Sequence, residues 1–462
     1  MKQLVLVFFA VLLLPLNLMA QVHLDTSPYF WLDSKEKATS DYTPSLRELF
    51  DWYERPSFAN LNLDLNNKNF RLFMQIDLRS DLKADLDNFS FTNLPVPLNR
   101  NIYIDPNFPQ VGYGEYKSEF FDFSIGRRKV DWSPGYYGLG FSDQAPYLDN
   151  ISFDLKSVEE KGQWIYSFIV ATIDNRASST LAETSSIDAY KTFAAHNIAW
   201  IQAKFIFSIT DYNLIYGRIP DLQDLAPFIH YHGLYQKGQN VALGITADSL
   251  ISNNFRLYGE FFIDDFKISI ESTDSNPGAM GAIVGLQYRF LSAIPTISPL
   301  ESAAKHTLKN KDFSMLGGLV FRWENIWTSE YLYNRENITG QITNPLYYMM
   351  EYKPQIINTY FGAAYGPDRL IERLSLTWDG NPFKTGVVLE YHLVGNHGIN
   401  GDYIPPFDNW LTLGNPVYSQ VRISLNGEWE YTRNRTLFAD LKLDFGNSFR
   451  IQGGLGWGAK LF

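Results

Sequence analysis

The chain of 462 residues contains no cysteine. Disulfide scaffolds, thiolate metal sites and cysteine nucleophiles are therefore excluded, although small exported domains often depend on disulfides. Basic residues are also scarce: 39 Lys and Arg against 50 Asp and Glu give a formal charge of −11. No Lys/Arg block offsets this, so the counterion-releasing footprint of a nucleic-acid binder is missing. Beyond residue 20 no uninterrupted apolar run reaches the roughly 18 residues that an intramembrane helix requires. A nucleophile elbow, a metalloprotease helix, a phosphate loop and a calcium loop are all absent. No catalytic residue, metal or cofactor is assigned, and the chain reads as a non-enzyme.

What the chain has instead is aromatic, with 34 Phe, 28 Tyr and 11 Trp. At 45% apolar residues it is too hydrophobic for disorder and carries material for a large buried or lipid-facing surface. Residues 1–20 read as a signal peptide: Lys2 supplies the positive end, residues 4–16 the apolar stretch, and Leu18-Met19-Ala20 a serviceable cleavage site.

The clearest pattern is a period of two. Val421, Ile423, Leu425, Trp429 and Tyr431 alternate with Arg422, Ser424, Asn426, Glu428 and Glu430, and Leu437, Ala439, Leu441, Leu443 and Phe445 alternate with Phe438, Asp440, Lys442 and Asp444. The same alternation sets Val387, Leu389, Tyr391 and Leu393 against Glu390 and His392, and Phe70, Leu72, Met74, Ile76 and Leu78 against Arg71, Gln75, Asp77 and Arg79. A soluble sandwich also alternates. Segments of about 9–11 residues, however, span hydrocarbon when tilted, and Trp378, Trp429, Tyr431 and Trp457 sit near strand ends, where interfacial girdles form. Lipid satisfies no backbone N–H or C=O, so an exported chain without apolar helices can cross only as a closed barrel.

The expectation is an all-β fold in the bacterial outer membrane, a transmembrane antiparallel β-barrel of about 18 strands (16–18), with one or a few short helices on the periplasmic side or in the lumen. Its predicted parts are a signal peptide (1–20), a periplasmic or plug segment (21–57) and the barrel (58–462). Ser45-Leu46-Arg47-Glu48 forms a capping box, and Leu46, Leu49, Phe50 and Tyr53 make one apolar stripe of a short helix; residues 299–311 are helix-compatible. Short turns at 379–382 and 432–436 read as periplasmic and the 395–416 stretch as extracellular. Gly453, Gly454, Gly456 and Gly458 lie inside the last strand and imply close packing or a lumen gap. His230 and His232 flank Tyr231 without a carboxylate at matching spacing, whereas His392 and Glu390 point together into the lumen.

The densest polar and aromatic group lies between residues 111 and 155. Pro and Gly fix a non-repetitive loop there, and it displays Trp, Tyr, Asp and Arg, the flat faces and charged groups a sugar needs. The run Gly126-Arg127, Trp132-Ser133-Pro134-Gly135 and Ser142-Asp143-Gln144-Ala145-Pro146, followed by Leu257-Tyr258-Gly259-Glu260-Phe261-Phe262-Ile263-Asp264-Asp265-Phe266, resembles the pattern of the Wzi-type capsule assembly family. The resemblance implies a barrel of about eighteen strands, plugged on the periplasmic side by helices, that binds exported capsular polysaccharide without catalysis. It departs from that pattern in having one convincing helix ahead of the first strand. Arg127, Trp132, Asp143, Asp264 and Asp265 are the candidate glycan-binding residues, although for Asp264 and Asp265 the preferred reading is as lumen hydrogen-bond partners. The net negative charge disfavours a strongly anionic polymer unless Arg127, Arg128 and Lys129 face it. Expected partners are outer-membrane lipid, capsular or extracellular polysaccharide and the outer-membrane assembly machinery. The rival reading is a porin-like channel lined by Arg71, Arg79, Asp440 and Lys442.

Overall fold

The computed structural model describes residues 19–33, 54, 56–79, 96–98, 101–103, 109–144, 147–157, 162–174, 190–228, 230–231, 238–266, 277–290, 318–335, 340–350, 353–363, 365–398 and 411–460. Its strands are β1 (Met19–Thr26), β2 (Tyr29–Asp33), β3 (Ala59–Asn66), β4 (Phe70–Leu78), β5 (Val96–Leu98), β6 (Asn101–Tyr103), β7 (Val111–Lys117), β8 (Phe121–Arg128), β9 (Leu148–Lys156), β10 (Gln163–Asp174), β11 (Tyr190–Gln202) and β12 (Phe205–Tyr216). They continue with β13 (Gln239–Ser252), β14 (Phe255–Asp265), β15 (Ala279–Arg289), β16 (Gly318–Thr328), β17 (Thr343–Met350), β18 (Lys353–Tyr360), β19 (Arg369–Gly380), β20 (Phe383–Val394), β21 (Tyr418–Thr432), β22 (Arg435–Phe445) and β23 (Arg450–Lys460).

Nineteen of these form one antiparallel sheet, while β5–β6 and β17–β18 are separate hairpins. β1 and β2 occupy one position: β1 pairs along β3 from Met19 opposite Asn66 to Thr26 opposite Ala59, and β2 continues along β23 from Tyr29 opposite Gly456 to Asp33 opposite Gln452. The result is a closed barrel of 18 wall positions. The segment expected to precede the wall as a periplasmic piece (21–57) therefore contributes wall within residues 21–33. The reason is closure: without them β3 and β23 would both present open edges, which lipid does not tolerate. The predicted helices around Leu46 and at 299–311 lie outside the described residues.

Side-chain parity follows the sequence pattern. On β20, Val387, Leu389 and Tyr391 are exposed to the outside while Glu390 and His392 are buried toward the lumen. Trp378, Trp429, Tyr431 and Trp457 gather near one end, where Trp429 stacks on Phe383 and Trp457 Nε1 donates to Tyr431 Oη at 2.7 Å. That end carries the turns 67–69, 118–120, 203–204, 253–254, 381–382 and 433–434, with 290–317 as its long member; the opposite end carries the longer connections 79–110, 129–147, 175–189, 217–238, 329–368 and 395–417. The expected division into a short-turn end and a long-loop end holds. Gly454 and Gly456 are covered on the lumen side by Tyr29 and Phe438, whose rings stack at 5.7 Å, so these glycines serve close packing.

The lumen is not empty. Residues 129–144, between β8 and β9, and described residues of the stretch between β16 and β19 enter it and build an apolar core of Tyr137, Leu139, Phe141, Tyr333, Tyr360 and Phe361 against Ile169, Phe193, Leu214 and Phe262 of the wall. With Leu148, Ile283, Ile326 and Ile371 added, strands β9 to β16 and β19 supply that wall.

Candidate binding site

The first insert is held by three wall glutamates. Glu260 on β14 accepts from Leu139 N at 3.2 Å, from Gly140 N at 2.8 Å and from Ser133 Oγ. Glu324 on β16 accepts from Tyr136 N at 2.7 Å and from Tyr258 Oη at 2.9 Å. Glu390 on β20 accepts from Tyr137 Oη at 2.8 Å. A loop buried in a lumen must satisfy its own amides; Glu260 and Glu324 do so with charge-assisted bonds, and Glu390 takes the Tyr137 phenol. Burial, with Glu390 beside it, pushes the Tyr137 phenol well above its ordinary range, which keeps it a donor.

The second insert grips the first. Tyr333 Oη donates to Leu139 O at 2.6 Å, Ala363 N donates to Tyr333 Oη at 3.2 Å, and a Cβ on Gly362 would collide with the Leu139 carbonyl.

Toward the short-turn end a cavity of about 790 Å³ remains, within the range of roughly 300–1,000 Å³ usual for ligand sites. Tyr136, Tyr137 and Tyr365 bound it on the insert side, and Asp25, Asn434 and Lys460 mark its approach to the rim. Its wall carries charges in alternation, because strand register sets Glu324 opposite Arg373, Arg373 opposite Glu390, Glu390 opposite Arg422, and Arg422 opposite Asp444. Arg373 also lies over the Tyr136 ring at 3.8 Å, and Glu54 reaches Lys442 at 2.8 Å. Tyrosine rings in edge-to-face contact beside paired donors and acceptors suit a polar, hydroxyl-rich ligand better than an apolar one.

The five residues singled out from sequence do not converge. Arg127 is on the outward face of β8, paired at 2.8 Å with Asp149 of β9. Trp132 is packed edge-on against Phe141 inside the insert. Asp143 lines the cavity, its backbone oxygen accepting from Lys129 Nζ. Asp264 is buried, accepting from Tyr333 N at 3.0 Å and Arg335 at 3.1 Å, and Asp265 pairs with the same guanidinium. Asp264 and Asp265 thus act as lumen hydrogen-bond partners of the second insert. Arg128 turns inward to Ser152, so the basic run 127–129 presents no common face. His230 lies in a connection and pairs with Asp211 at 2.8 Å; His232 is outside the described residues. The charge belt was visible as inward positions of separate strands, but only register shows that it alternates.

A closed, lipid-faced antiparallel wall with a polar lumen and an aromatic rim defines the class: this is a bacterial outer-membrane β-barrel. No protein-family model matches the sequence, and no curated protein matches it. Among solved structures it is similar to Wzi, described as an outer-membrane protein involved in group 1 capsule assembly in Escherichia coli and a carbohydrate-binding β-barrel. That likeness has a TM-score of 0.55 at 13% identity, covering 99% of this chain and 88% of that one. Pseudomonas aeruginosa OccK11 (OpdR) superposes with a TM-score of 0.46 at 6% identity over 96% of each chain. At these identities the likeness is one of fold.

Proposed function

We propose that the protein binds an exported capsular or other surface polysaccharide and helps hold it at the cell surface, without catalysis. The observation that carries this reading is the packed insert. Three buried glutamates and an apolar core fix loops across the lumen, which suits an anchored binding barrel better than a through-pore. The aromatic and charged lining around Tyr136, Tyr137 and Arg373 supplies sugar-compatible surfaces within the barrel. The carbohydrate-binding description of the similar Wzi barrel supports the same direction.

One observation favours a second reading, a channel for small solutes or oligosaccharides: the charged cavity of about 790 Å³ approaches the short-turn rim. Planar-bilayer recording of the purified chain, combined with retention on immobilised capsular polysaccharide, separates them. Retention with silent bilayers is expected; steady, large single-channel currents without retention would establish the channel instead.

A further inference from the structure

The described residues of the connection between β12 and β13 lie outside the lumen. Exposed Trp164, Ile198 and Ile209 mark the lipid-facing side of β10, β11 and β12, and the period of two places Tyr166, His196 and Asp211 on that same outer face. Residues of the connection lie on these three. Tyr231 N donates to Asp211 Oδ2 at 2.8 Å, the Tyr231 ring packs on His196 at 4.7 Å, and Phe228 stacks on Tyr166 at 4.3 Å while its N–H donates to Tyr166 Oη at 2.9 Å. His230 adds its own bond to Asp211 at 2.8 Å. The connection is a strap folded down the outside of the wall. It covers two polar side chains that lipid would otherwise meet.

The strap exposes large apolar side chains and buries a carboxylate. Ile219, Leu222 and Phe228 are exposed by 69%, 88% and 68%, whereas Asp224 is fully buried and paired with Arg218 at 2.5 and 2.8 Å. Its backbone donors are largely spent internally. Asp221 N goes to Asp224, Gln223 N and Asp224 N go to Asp221, and Ala226 N goes to Gln223 O. Pro220 and Pro227 have no N–H to satisfy. Irregular backbone beside a bilayer needs such internal satisfaction. Asp221 and Gln223, which flank Leu222, are exposed as well. Phe228 holds a positive φ of 69°, a conformation a bulky residue adopts only when its surroundings fix it; here the Tyr166 stack does so.

We propose that this strap is a lipid-contacting element, with Ile219 and Leu222 seated at the boundary between acyl chains and headgroups of the outer membrane. It continues the established lipid face of β10 to β12. The absence of cysteine makes the test direct, because a single introduced thiol carries the only nitroxide. Leu222→Cys and Ile219→Cys, spin-labelled in full-length protein reconstituted into phosphatidylcholine–phosphatidylglycerol vesicles, are compared with Ile198→Cys on the lipid face and Glu428→Cys in the lumen. Collision with oxygen several-fold above collision with a water-soluble nickel chelate, matching the Ile198 label, is the expected result. Nickel accessibility like that of the Glu428 label overturns the proposal in favour of an aqueous loop. Dipolar broadening between labels on two chains overturns it in favour of a second copy seated on the strap.

Discussion

Gly362 is where the two inserts meet backbone to backbone, since any Cβ there would enter the space of the Leu139 carbonyl. No flexible side-chain end can yield at that contact, so even one methyl group must push the inserts apart. Gly362→Ala is expected to cost about 1–3 kcal/mol, in the manner of an overpacked core, read as earlier loss of the heat-resistant folded band on unboiled gels. A second residue ties the insert to the 395–417 connection. Asp368 accepts from His397 N and Gly414 N, each at 2.8 Å, while His397 Nδ1 pairs with Glu330 at 2.7 Å. Burial raises the Asp368 carboxyl above its ordinary range, and the same cause raises Glu330. A carboxyl whose folded value exceeds its unfolded one holds its proton more tightly when folded. Its contribution is full below the unfolded value and is lost as pH rises through the folded one. Asp368→Asn should therefore compare more favourably with the parent at pH 8 than at pH 4, measured as the difference in melting temperature at each pH.

At the scale of elements, the wall was legible because each strand's two faces meet different media. Val421, Ile423 and Leu425 against Arg422, Ser424 and Asn426 need no partner strand to declare lipid and lumen. The inserts were not legible in the same way. The 129–144 stretch reads as a displayed loop because its Pro and Gly are turn formers, yet Leu139 and Phe141 are buried. A signal was present on the facing strands: Ile165, Ile169, Ala171 and Ile173 of β10 are inward and apolar where a water-filled lumen would call for polar residues. Such two-faced hydrophobicity means that something covers the inside. The strap escaped for the converse reason: His196 and Asp211 fall on the lipid parity of their strands, and no local pattern says that residues such as Phe228 and Tyr231 fold back to cover them. The pairings around Arg335 and Glu390 depend on contacts between distant strands, which no local pattern encodes.

For the whole molecule, the first insert in the lumen is a removable part. Trp132 N donates to Phe141 O at 3.0 Å, so the insert's neck is already drawn together and a short linker can replace its tip. Substituting Gly-Gly for residues 133–140 removes Ser133, Tyr136, Tyr137 and Leu139 while leaving the wall intact. Ion currents in planar bilayers where the parent is silent are the expected outcome; continued silence would mean that the second insert alone blocks the barrel.

The seam between the first and last strands has a consequence for how the molecule comes into being. Asp25 sits opposite Lys460 and Tyr29 opposite Gly456, so the final contacts join residues from the two extremities of the chain. Contacts of such separation form slowly and late. Until they form, an incomplete wall carries two raw edges with unanswered hydrogen bonds. The wall therefore closes only once residues 450–460 are in place, and a truncation that removes them is expected to leave β22 and the β1–β2 position with open edges.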